Sequence, residues 1–192
     1  MSAQPAKNVK APKESGLTVI SPEAMAMYAY VWRPRPAMDP TKEAQFSIVL
    51  LFKKGTDLST LRSAARLAAT KKWGNKIPGN IKNPFRKGNT DRPDDPIFKD
   101  VEFITARTNS KPGIVDAGAQ PILDELEFYS GCKCRASLYA MAYDTVGNKG
   151  VTFLLNNIQK LGDGPRLSGR KPAEEEFSAV EGENDDDDDN PF

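Results

Sequence analysis

One stretch limits the fold more than any other. Over residues 129–144 the side chains alternate, with Cys132, Cys134, Ala136, Leu138, Ala140 and Ala142 on one face. Lys133, Arg135, Ser137, Tyr139, Met141 and Tyr143 occupy the other. Alternation with a period of two marks a β-strand. A face of small apolar residues suits the interior of a curved barrel. The opposite face interleaves cations with rings, which a core would not select. It suits a single-stranded polyanion, whose bases stack on rings at about 1–3 kcal/mol each while Lys and Arg track the phosphates.

The other elements extend this picture. Residues 25–33 alternate as a first strand, which would place Tyr28, Tyr30 and Trp32 on one face. Residues 46–53 are apolar on both faces and predict a central, doubly covered strand. Asp57 is placed to cap a helix over residues 58–72, in which Leu58, Leu61, Ala65 and Ala68 recur at helical spacing. Residues 74–96 turn to Gly, Pro and Asn and carry five bases, Lys76, Lys82, Arg86, Lys87 and Arg92, around Phe85. A basic loop of this length is expected to be functional. Residues 99–107 form a third strand, residues 129–144 a fourth and residues 151–161 a fifth. The fold class expected is mainly β: an OB-fold-like five-stranded barrel with one main α-helix and a long basic loop. The helix of an OB barrel usually follows the third strand, whereas here it follows the second. Either a strand near the amino end is missed or the long insertion disturbs the order.

The absence of histidine removes the commonest general base and metal ligand. Cys132 and Cys134 are the only cysteines, too few for a zinc site, and their C-x-C spacing would strain a mutual disulfide. They are read as small apolar packing in a reduced protein. No phosphate-cradling Gly-x-x-x-x-Gly-Lys-Ser/Thr loop occurs. No catalytic residue, metal or cofactor is expected. Without a membrane-length apolar run or a secretory signal, the expected location is cytoplasmic.

Charge is divided along the chain. Residues 171–192 hold ten of the 26 acids and one of the 27 bases, so this segment carries −9 and residues 1–170 carry +10. The expected organisation is a disordered basic arm over residues 1–16, one domain over residues 17–170 and a disordered acidic tail over residues 171–192. The tail ends in Asp185, Asp186, Asp187, Asp188 and Asp189, followed by Asn190, Pro191 and Phe192. A terminal ring beside a free carboxylate fits an apolar pocket ringed by cations. A tethered polyanion also reaches a high effective concentration at the body's own anion site.

The tip resembles that of bacterial single-stranded DNA-binding proteins, which end in aspartates followed by x-Pro-Phe. The body resembles a family of phage-encoded single-stranded DNA-binding proteins with an OB fold. The residues that carry this are Tyr129-Ser130-Gly131-Cys132, Arg135 to Leu138, Ala142-Tyr143-Asp144, Asn148 to Val151, Leu155 to Lys160, Asp163-Gly164, Ser168-Gly169 and residues 173–177. The long basic loop and the Lys-rich amino end depart from it. The resemblance implies a protein that coats exposed DNA in phage replication, recombination and repair, in the host cytoplasm. Its tail would compete with DNA and recruit polymerase, helicase–primase or recombination factors. Self-association is compatible with that role.

The expected DNA contacts are stacking on Tyr28, Tyr30, Trp32, Tyr139 and Tyr143, with Lys53, Arg86, Lys87, Arg107, Lys133 and Arg135 on phosphates. Two rival readings remain open. One is an RNA-binding, cold-shock-like barrel, since stacking platforms do not discriminate the 2′-OH. The other is a metal-dependent nuclease or resolvase built on Asp91, Asp94, Asp95, Asp100 and Glu102.

Overall fold

Small inward side chains on one long strand let the sheet close on itself. The structure is a computed structural model and describes residues 16–37, 41 and 43–167. The expected arm and tail lie outside the described residues, apart from Gly16. Five strands form a ring: β2 (Ala24–Arg35), β3 (Gln45–Lys53), β5 (Val101–Thr108), β8 (Asn148–Gly162) and β7 (Lys133–Thr145), the last pairing back to β2. All neighbours in the ring are antiparallel except β5 and β8. Three short strands attach outside it: β1 (Thr18–Ile20) on β7, β4 (Arg86–Lys87) on β5 and β6 (Gly113–Val115) on β8.

The alternation read in β7 is what the barrel uses. Cys134, Ala136, Leu138 and Ala140 are buried against Ile48, Leu50 and Phe52 of β3, Ile104 and Ala106 of β5, and Phe153 and Leu155 of β8. Helix α1 (Ser59–Trp73) packs on β7, β8 and β1 through Leu61, Ala64, Ala65, Ala68 and Ala69. Asp57 is not the N-cap, which is Leu58; it lies one position earlier and accepts the Ser59 N–H at 2.8 Å. The helix does follow the second ring strand. Of the two explanations, a missed amino-terminal strand does not account for this, because β1 lies outside the ring and leaves the order of its members unchanged.

The central strand β3 is covered on both sides only toward its end; Ser47 and Val49 on its outer face are half-buried. Leu51 points away from the barrel core and is buried with Met27, Phe98 and Phe103 in a second apolar cluster. The cover comes from the 3-10 helix that follows the segment expected to be a loop. Residues 74–96 contribute β4 and a short helix α2 (Gly88–Asp91), and a 3-10 helix (Pro96–Phe98) follows them. That 3-10 helix drives Phe98 onto Phe103, with ring centroids 5.0 Å apart.

Two further expectations are corrected. The fourth ring strand begins at Lys133, because residues 129–132 form a turn. Gly131 sits at φ 116°, and a Cβ there would lie 1.7 Å from the Pro165 carbonyl oxygen. The first ring strand does not alternate throughout. Tyr28 has φ 47°, and pairing with β3 shifts register between Met27 and Tyr30. Ala24 and Ala26 enter the main core before this bulge and Val31 enters it afterwards, so the inward parity changes. Tyr28, Tyr30 and Trp32 therefore occupy three different settings.

Candidate nucleic-acid interface

Outward side chains line up across the ring. Tyr30 of β2 pairs in register with Ser47 of β3, Ser47 with Arg107 of β5, Arg107 with Leu154 of β8, and Leu154 with Tyr139 of β7. One lateral row thus carries three of the expected contact residues. Met141 and Tyr143 follow on β7, opposite Thr152 and Gly150. Beside them lies an open groove of about 590 Å³, lined among others by Gln45, Lys82, Arg86, Arg107, Met141 and Tyr143. No carboxylate is among its lining residues. Arg107 and Lys82 are exposed and in no ion pair among the described residues.

The basic segment is tied to this groove by its backbone. Lys82 N–H donates to the Lys149 carbonyl at 2.8 Å, and Val151 N–H donates to the Lys82 carbonyl at 3.1 Å. The approach requires glycine at 150, where a Cβ would meet the Tyr143 hydroxyl at 2.7 Å and Lys82 at 2.9 Å. Phe85 then turns its ring edge-on to buried Phe153, centroids 5.8 Å apart, which anchors the segment to the core. Arg86 emerges beyond it, its guanidinium 5.3 Å from the Phe103 ring and 3.0 Å from Asp91. That hydrogen bond from Arg86 lowers the Asp91 pKa.

The remaining expected contacts are dispersed. Lys53 and Lys87 border a different groove, near the start of α1. Lys133 and Arg135 lie at the far end of β7, ten and eight residues from Tyr143 and so about 33 and about 26 Å along an extended strand. Arg135 Nε donates to Gln159 Oε1 at 2.7 Å. Tyr28 stacks on Phe98 at 6.3 Å. Trp32 packs against the main core and donates its Nε1–H to the Phe128 carbonyl at 2.9 Å. Of the three aromatics on β2, Tyr30 is the one with an exposed ring, flanked by Arg35 at 5.2 Å. Lys82, Gln45 and Met141 are among the groove residues the sequence did not single out as contacts. Lys82 was visible only as one base among five in a segment without periodicity.

The carboxylates of the nuclease reading stand apart. Glu102 is bound by Arg62 at 2.6 and 2.9 Å, Asp95 accepts the Ile97 N–H, Asp100 accepts from Asn89, and Asp91 holds Arg86. Among the described residues no group of three His, Cys, Asp or Glu side chains is placed to hold a metal ion. Cys132 and Cys134 are buried and free, as packing residues. No described helix is long and apolar enough to cross a membrane.

A closed ring in this strand order, with a cationic and aromatic groove over its third strand and its last hairpin, defines an OB-fold protein with a surface suited to a polyanion. The family model described as the Enterobacter phage Enc34 single-stranded DNA-binding protein matches residues 17–190, and the chain belongs to that family. Its fold is similar to that of the single-stranded DNA-binding protein from bacteriophage Enc34 in complex with single-stranded DNA. The TM-score is 0.71 at 17% identity, covering 80% of this chain and 91% of that one. The same phage protein in another structure aligns over 90% of this chain and 100% of its own, with a TM-score of 0.65 at 17% identity. A further similar structure is gp2.5, a single-stranded DNA binding protein encoded by bacteriophage T7. There the TM-score is 0.52 at 13% identity, over 81% of this chain and 97% of that one. No curated protein matches the chain.

Proposed function

We propose that the chain binds single-stranded DNA without regard to sequence, along the outer face of its barrel. The observation that carries this reading is the groove in which Lys82, Arg86 and Arg107 surround Tyr143 with no lining carboxylate. Membership of a family of phage single-stranded DNA-binding proteins supports it. Binding is non-catalytic. Bases stack on Tyr143, Tyr139 and Tyr30, and Lys and Arg side chains contact phosphates. In this role the protein coats DNA during phage replication, recombination and repair in the host cytoplasm. The tail from Asp185 to Phe192 competes with DNA for the cationic face and, when displaced, engages replication proteins. The charge division between the tail and the rest of the chain supports that part of the proposal.

The test is a titration of the 192-residue chain and of a variant with all five terminal aspartates changed to Asn. Each is titrated with labelled oligo(dT), with RNA and duplex of equal length as competitors. Both proteins should bind single-stranded DNA ahead of RNA, the variant more tightly and most of all at low salt. Failure of both to bind oligo(dT) overturns the reading. Equal affinity of the two removes the tail's role, and preference for RNA selects the cold-shock-like alternative.

A further inference from the structure

A second groove opens on the other side of β4. It measures about 470 Å³ and lies between the β3–α1 connection, the segment from Lys87 to Thr90 and the start of β5. Its cations are Lys53, Lys54 and Lys87, all exposed. None of the three is in an ion pair among the described residues. Two carboxylates also line the groove: Glu102 is paired with Arg62, and Asp100 accepts from the neutral Asn89 amide at 2.9 Å, which leaves one uncompensated acid against three cations.

The partition between the two grooves is two residues wide. Arg86 lines the outer-face groove and Lys87 lines this one, on Cα atoms about 3.8 Å apart. A nucleic-acid strand that leaves the first groove across β4 meets the second at once.

We propose that single-stranded DNA held on the outer face continues over β4 into this second groove, where Lys53, Lys54 and Lys87 take its phosphates. The inference rests on the single-strand-binding reading and deepens it. The footprint is then longer than the outer groove alone, and Lys54 acts only on strands long enough to reach it. The experiment titrates the full chain and its Lys54→Glu and Arg107→Glu variants with oligo(dT) of stepped length, from about 4 to about 16 nucleotides. Lys54 is exposed in a turn, so a thermal melt should show the variant folded. Lys54→Glu should weaken binding of the longest oligonucleotides about five- to tenfold. It should change the shortest by less than about twofold, because solvent screens a distant charge. Arg107→Glu should weaken every length. If Lys54→Glu lowers all lengths by the same factor, or none, the second groove is off the path and the proposal falls. If the unaltered chain binds no length while folded, the single-strand-binding reading itself falls.

Discussion

Cys134 points into the barrel from a strand whose other face meets solvent, and its thiol records that burial. Desolvation pushes its pKa from 9.0 up to about 12. The unfolded chain releases this proton near pH 9, whereas the folded chain keeps it. Stability is therefore unaffected below about pH 9 and falls as pH rises toward about 12, by at most about 1.4 kcal/mol per unit. Urea unfolding of the chain and of Cys134→Ala at about pH 8 and about pH 10.5 checks this. The unaltered chain should lose more stability across that interval than Cys134→Ala, and equal losses would contradict the assignment. At this scale β7 was legible in the sequence, because every second residue from Cys134 to Ala140 obeys one rule. Tyr28 was not. Its positive φ and its stacking on Phe98 depend on a residue seventy positions away, and no local pattern announces such a bulge.

Among the elements, the segment between α1 and β5 departs furthest from expectation. Its basic composition was visible, but a two-residue strand and a four-residue helix have no periodicity to read. What organises them is contact with β5 and β8, through Arg86 opposite Phe103 and Lys82 opposite Gly150. Phe98 holds the far end of this cover, with 1% of its surface exposed. Phe98→Ala should cost about 3–5 kcal/mol, the usual range for a buried ring, in urea unfolding. It should also speed tryptic cleavage after Lys87 and Lys99. A cost below about 1 kcal/mol with unchanged cleavage would mean that the cover is not clamped by this side chain. By contrast, β5, β7, β8 and α1 were legible, since each is long enough for its period to repeat.

On the scale of the molecule, a closed barrel is joined to a division of charge along the chain. The sequence showed the division without its geometry. It did not show that Arg107, Tyr139 and Tyr30 share one register row. That fact follows from strand pairing between residues distant in the chain. The central claim is that the outer-face groove holds the DNA backbone. Its most direct test is the salt dependence of oligo(dT) binding by the chain and by its Lys82→Ala/Arg107→Ala variant. Each lost phosphate contact removes about 0.7 from the slope of log affinity against log salt, so the variant's slope should be shallower by about 1.4 and its binding weaker at low salt. Unchanged slope and affinity in a folded variant would place the DNA elsewhere on the protein.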